Sequence, residues 1–403
     1  RCSRSIARAA FRANPNAEQP RFTIARSGFW VYYLAVNNKP SCLTYNVGNG
    51  SVFNSRWRIG LRVPREPHTI ASPSGNSIHK GEEIMGAIES GPRKSYRVQG
   101  FGEHTYELVE NWGPLPDHVK YGNTHGVAED TQGRIYIHNQ SPTGHSMVVF
   151  DSDGKFVTAW GAEFCKGAHG LQLNKEGCEE FLYLALSDEH RCVKTTLDGE
   201  VVWELKYPQE ANAYESETQF VPTNIAIAPN GDFYIADGYG LSYIHHYTKD
   251  AKYVRTWGGK GDAPGKMNCC HGIYIDTRDA TPEIVVADRA NVRLQYFDLD
   301  GNHLRFVTND LLFPCHFDQR GDDLLIPDLF GRVTIFDKNN NLITHIGVTP
   351  GAKAIPNWPD IAPERRIPGL FTSPHGAIWD HAGNLYCAEW IPQGRVTMFR
   401  RVD

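Results

Sequence analysis

The sequence predicts an all-β chain arranged as a six-bladed β-propeller, and three observations carry that expectation. One strand–turn–strand pattern recurs six times, every copy opens on a histidine or an asparagine, and the strand missing from the last copy stands ahead of the first. Self-similarity with a period of roughly 20 to 50 residues marks repeat architectures, so it decides the fold before any single residue does.

The clearest copies are THGVAEDTQGRIYIHN, PTNIAIAPNGDFYIADG, CHGIYIDTRDATPEIVVADR and SPHGAIWDHAGNLYCAEW; AHGLQLNKEGCEEFLYLALSD and PCHFDQRGDDLLIPDL are weaker ones. Each reads as a polar opening, an alternating strand, a Gly/Asn/Asp turn and a second strand ending near an acid or amide. A third strand follows, such as VRLQYFD or RVTIFD, and often a fourth, such as KFVTAWG or KYVRTWG. Four short strands joined by turns at intervals of about eight to twelve residues make one antiparallel blade. The openings fall at His125, His169, Asn224, His271, His316 and His375, so successive units differ mainly in loop length. The last copy stops after RVTMFRRV without a fourth strand, whereas EHTYELVENWG (residues 103–113) has the fourth-strand pattern but precedes the first opening. The ring is therefore expected to be closed by an N-terminal strand in the last blade, which leaves no free sheet edge at the seam. The propeller is expected to occupy residues 96–403.

Residues 1–84 read differently. They are rich in Ser, Arg, Asn and Pro, show no sustained period of 2 or 3.6, and contain no methionine; the first is Met85. We expect this stretch to be an upstream extension that contributes little to the native fold. From Met85 onward, MGAIESGPRKSYRV has no hydrophobic signal-peptide core, and the nine cysteines of the whole chain form no CxxC pair and no even-numbered framework. Both features point to a reduced, cytoplasmic setting. The run FWVYYLAV near the start is far short of the roughly 20 residues that span a bilayer, so no membrane partner is expected. A net charge of -5 without a basic stripe argues against nucleic acid.

In such a ring the first strand of each blade lines the central channel, and the six openings place five histidines and one asparagine around one axis. Neutral imidazole offers one nitrogen to a metal while its other N–H is held by a neighbouring acceptor. Blades two, four and six supply His169, His271 and His375 with near-threefold spacing, and three histidines with an open fourth position suit zinc or another first-row divalent metal. A single His-Gly pair is better read as structural, its ring nitrogen bonded to a backbone carbonyl; three related by the ring shift the reading to metal. For His125 and His316, ligand, substrate contact and structural role all stay open, and Asn224 completes the ring. Cys269 and Cys270, beside His271, have no thiol equivalents in the other copies.

VPTNIAIAPNGDFYIADGYG and CCHGIYID followed by IVVADRANVRLQYF resemble two consecutive blades of the peptidyl-α-hydroxyglycine α-amidating lyases, and the whole repeat region is similar to NHL-type propellers. The resemblance implies that His169, His271 and His375 are zinc ligands, that Tyr239 in ADGYG is a catalytic tyrosine and that Arg289 in VVADRANVR is an active-site arginine. In that family zinc binds near the hydroxyl of a carbinolamide, a tyrosinate takes its proton, and the C–N bond breaks to release an amide and glyoxylate. An arginine beside the tyrosine favours the anion and can hold a substrate carboxylate. For Arg289 the competing structural reading is an ion pair with Asp288 or another acid. Two departures stand out. A second family arginine is replaced in YIHNQS by Asn139, and Gly376 stands where an aspartate contributes to a structural calcium, so calcium is not supported. The expected function is a metal-dependent, lyase-like enzyme acting on a small hydroxylated or carboxylated substrate. The alternative is a non-catalytic NHL propeller that binds protein or carbohydrate. A sugar-lactonase-like site is weaker, because such sites gather carboxylates around a calcium-type ion.

Overall fold

The computed structural model describes residues 96–402 together with the strand pair Phe29–Val36 and Lys39–Asn46. That pair is an antiparallel hairpin in register from Phe29↔Asn46 to Val36↔Lys39, within a unit spanning Arg1–Ser72. The rest of the expectation for residues 1–84 lies outside the described residues.

The repeat region is all-β with short 3-10 turns. Five blades are four-stranded antiparallel sheets whose first strands are Thr124–Glu129, Ala168–Glu176, Asn224–Ile227, Cys270–Asp276 and Asp318–Arg320. The sixth blade starts at Pro374–Trp379 and is five-stranded. Its third strand, Arg395–Arg401, pairs with His104–Val109 from Met398↔Val109 to Arg401↔Tyr106, and Val98–Phe101 pairs outside that. The outermost strand is an addition to what the repeat pattern indicates.

Turn chemistry explains why the copies fold alike. In TQG, PNG and HAG the glycines, Gly133, Gly231 and Gly383, sit at φ values of 80°, 89° and 86°, the left-handed region that glycine enters without steric cost. The strands on either side carry apolar residues on both faces, because each blade is covered by a neighbour on both sides. Leu385–Glu389 is buried throughout, whereas the outer strand Phe156–Trp160 is largely open. The core consequently lies between blades. Leu171, Leu182 and Leu184 of the second blade pack on Tyr136, Met147 and Val149 of the first. The same kind of cluster joins the sixth blade to the first, through Ile378, Tyr386 and Met398 against Val127, Ile137 and Val148. Each such buried side chain contributes about 1.5–3 kcal/mol, so the inter-blade layers hold the channel-lining strands in fixed positions.

Candidate metal centre

The histidines are aimed by a local irregularity and held by a glycine. The ladder between first and second strands shifts register at His169, His271 and His375, between Leu184 and Leu186, Cys270 and Gly272, and Pro374 and Gly376. A bulge of this kind re-aims a side chain without ending the strand. The following glycine then lets the next blade come close. A Cβ at Gly170 would stand 2.5 Å from the Thr223 carbonyl oxygen, one at Gly272 2.3 Å from that of Cys315, and one at Gly376 2.3 Å from that of His125. The same three oxygens accept hydrogen bonds from His169 Nδ1 at 2.7 Å, His271 Nδ1 at 2.8 Å and His375 Nδ1 at 3.1 Å. A carbonyl can only accept, so each Nδ1 carries the proton and each neutral ring presents a lone pair at Nε2. Burial holds all three rings well below the usual histidine pKa; the charge that protonated His125 or Arg289 would carry lowers them further.

The three rings form a nearly equilateral set, with centroids 4.8 Å apart for His169–His271 and 4.7 Å for His169–His375 and His271–His375. Tyr239 Oη lies 3.1 Å from His169 Nε2 and 3.0 Å from His271 Nε2, while His375 Nε2 is buried with no partner. One hydroxyl proton thus serves two lone pairs, and the third has no donor. A buried acceptor left unpaired costs about 1–3 kcal/mol, and a cation beside His375 Nε2 would relieve that deficit. The donor set therefore fits a divalent ion. Two groupings able to hold a metal ion have their ligand atoms within 4.8 Å of one another: His125, His169 and His375, and His271, Cys315 and His375. His375 belongs to both, and the Tyr239 hydroxyl stands between His169 and His271, which fall in different groupings.

Tyr239 rides on the loop after the second strand of the third blade, Phe233–Ala236. Asp237 ties that loop down, accepting hydrogen bonds from Val221 N and Leu241 N at 2.7 Å each and from Tyr214 Oη at 2.8 Å. Tyr239 is 44% exposed, while its hydroxyl end reaches the buried His169 and His271 nitrogens. Burial of the hydroxyl pushes the phenol up to about 12, opposed by Arg289.

Arg289 follows the second strand of the fourth blade and is 8% exposed. It does not pair with Asp288, whose carboxylate takes Arg293 Nε at 2.6 Å and Gln295 Nε2 at 2.9 Å. Its guanidinium lies 5.2 Å from the Tyr239 ring centroid and 4.9 Å from that of Phe313, and Nη1 is 3.8 Å from Cys315 Sγ. Among the described residues it makes no ion pair, and its Nε is buried without a partner. A buried guanidinium without a counter-charge has the chemistry to receive an anion.

The remaining ring positions diverge. Asn224 is buried, and its Oδ1 accepts from the backbone N of Ile225 at 2.7 Å, leaving it outside the cluster. His316 is buried with both ring nitrogens unpartnered, but it borders a different cavity of about 420 Å³ that includes Glu129, Asp318 and Asp380. Asn139 is consumed by structure: Oδ1 accepts from Gly122 N at 3.1 Å, and Nδ2 donates to the carbonyls of His145 and Ser146 at 3.0 Å. His138 is fully buried, and neither of its ring nitrogens has a partner. Cys270 points its thiol at the Tyr243 carbonyl, 3.5 Å away. Cys315 is the residue that sequence reasoning missed; its signal was the Cys-His pair opening the fifth blade, which repeats Cys270–His271.

No family model matches the chain. The human NHL repeat-containing protein 3 is 29% identical over 205 residues, which cover 48% of this chain and 57% of that protein, so the match spans little more than half of its length. Peptidyl-alpha-hydroxyglycine alpha-amidating lyase 2 of Drosophila melanogaster is 23% identical over 301 residues, covering 66% of this chain and 71% of that one. Lyase 1 of the same organism is 24% identical over 234 residues, covering 48% and 40%. A solved streptogramin B lyase superposes with a TM-score of 0.51 at 12% identity, covering 73% of this chain and 97% of that one; this likeness concerns the fold alone. The chain is a six-bladed β-propeller with homologues among the NHL repeat-containing proteins and the peptidyl-α-hydroxyglycine α-amidating lyases.

Proposed function

We propose that the protein is a metal-dependent lyase of the amidating-lyase kind, cleaving a C–N bond in a small substrate that carries a hydroxyl and a carboxylate. The observation that carries this reading is the Tyr239 hydroxyl held between two buried histidine Nε2 atoms, with the unpaired Arg289 guanidinium beside its ring. His169, His271 and His375 are the residues that would hold the ion, zinc or another first-row divalent metal. Such an ion supplies a Lewis acid that draws a substrate hydroxyl oxygen to the site and makes its proton easier to remove.

Tyr239 is the general base of this proposal. Its oxygen is already at the cluster, and the charge of Arg289, joined by that of an ion the histidines would hold, favours the phenolate against the burial that otherwise keeps the phenol protonated. The substrate O–H proton passes to Tyr239 Oη, the C–O bond becomes a carbonyl as the C–N bond breaks, and the departing nitrogen takes up the proton to leave as a neutral amide. Arg289 binds the carboxylate and fixes the carbon that reacts. With Asn139 engaged by the backbone, that carboxylate has one arginine to hold it. The match to NHL repeat-containing protein 3 supports a second reading, a non-catalytic propeller that binds protein or carbohydrate.

The test is an α-hydroxyglycine peptide incubated with metal-loaded protein, with glyoxylate release compared between wild type and Tyr239→Phe. Release that falls by about 10²–10⁴-fold in the variant supports the lyase. No release by wild type with metal bound removes the amidating assignment and favours the binding reading.

A further inference from the structure

We infer that His125 is a fourth nitrogen ligand, so that the centre is a four-histidine site and not the three-histidine set implied by alternating blades. This rests on the metal reading above and deepens it.

His125 opens the first blade, between the sixth and the second. Its ring centroid is 4.6 Å from that of His375 and 4.7 Å from that of His169, the spacing that relates the other three to one another. A register shift between Thr124 and Gly126 turns it as the shifts at the other three turn theirs. Its ligand nitrogen lies within 4.8 Å of those of His169 and His375, and His271 joins this set through His375, which its own ligand nitrogen approaches within 4.8 Å.

What separates His125 from a packing histidine is the state of its nitrogens. The side chain is 4% exposed, and neither ring nitrogen has a hydrogen-bond partner. The other three each give their Nδ1 proton to a carbonyl of the next blade, the arrangement a purely structural role would need. At His125 that arrangement is missing for a visible reason: the Gly126 Cβ position faces Leu171 Cβ at 2.5 Å, not a carbonyl oxygen. No backbone acceptor therefore commits either nitrogen, and the ring is free to present one of them to the cluster.

His316 shares the unpartnered state but not the place: it belongs to neither grouping of ligand atoms and borders the cavity lined by Asp318. The count thus rises to four and stops there. Three imidazoles leave a tetrahedral ion one open position, whereas four, with Tyr239 Oη beside them, suit an ion that takes five or six ligands. Copper, nickel, cobalt or iron then compete with zinc on geometry as well as affinity.

The experiment is a titration of Cu(II) into metal-free full-length protein. Electron paramagnetic resonance counts the coupled nitrogens, and chelator competition gives the affinity, for wild type and His125→Ala. Four nitrogens in wild type, three in the variant, and an affinity lower by about tenfold or more are expected. Three nitrogens in wild type with unchanged affinity in His125→Ala would overturn the inference and leave the three-histidine centre standing. Failure of wild type to bind copper stoichiometrically overturns both. If His125→Ala does not fold, the wild-type nitrogen count decides alone.

Discussion

The openings of blades two, four and six and those of blades one, three and five come from one repeated sequence plan, yet they reach different chemical states. At His169, His271 and His375 a register shift, a glycine and a carbonyl of the next blade act together, and the result is an imidazole with its proton fixed outward and its lone pair inward. At Asn224 the ladder to the second strand is unbroken, and the side chain bonds to the neighbouring backbone. His125 has the shift without the carbonyl, and His316 precedes a three-residue strand and borders another cavity. The comparison teaches what the His-Gly pair is for. Histidine supplies the nitrogen, and glycine admits the carbonyl that decides which nitrogen is left free.

The most damaging way to break the comparison is to remove an inward nitrogen. His271→Ala is expected to lower bound metal at least tenfold, by mass spectrometry after dialysis, whereas Asn224→Ala leaves it unchanged. Equal metal loss in both would erase the distinction between the two sets of blades. Next in size is the glycine. Gly272→Ala places a Cβ where the Cys315 carbonyl now sits, so His271 loses its Nδ1 acceptor while keeping its own side chain. Metal affinity should fall by about 10–100-fold, with a stability cost of about 1–3 kcal/mol measured by denaturant unfolding. An unchanged affinity at that position would mean the carbonyl does not orient the ring.

A pH series sharpens the comparison with a smaller effect. The ring histidines His125, His169, His271, His316 and His375 are all held below the ordinary histidine value by burial. Their folded pKa values are depressed, so the unfolded chain takes up protons first as pH falls. Stability is therefore full above about 6.5 and declines below it toward the folded values. The thermal midpoint of metal-free protein should drop between about pH 6.5 and 5, and added metal should soften the drop because it binds the neutral rings. A midpoint flat across that range would contradict the depressed values. The least effect belongs to Asn224→Ala on stability, about 1 kcal/mol for one lost local hydrogen bond.

The ring of openings was readable because a turn glycine, an alternating strand and a polar first residue recur in each copy, and repetition turns a weak local signal into a fold. The threefold set of histidines followed from the same count. What was hidden depends on distances between blades. Nothing in IHNQS says that the Asn139 amide is consumed by three backbone groups, and nothing in VADRAN says that Asp288 will choose Arg293 and leave Arg289 unpaired. That His375 joins both groupings of ligand atoms and His316 neither is likewise invisible, since both stand at the same place in the repeat. Val98–Phe101 is four residues long, with one apolar residue at each end, too short to show a period before its partner strand is known.

Metal content of the wild-type protein tests the central claim most directly. After purification and dialysis without chelator, mass spectrometry should find about one first-row metal ion per chain, removable by chelator with a fall in the thermal midpoint. Protein that carries no metal, takes up none when it is offered, and melts at the same temperature with and without chelator would contradict the account.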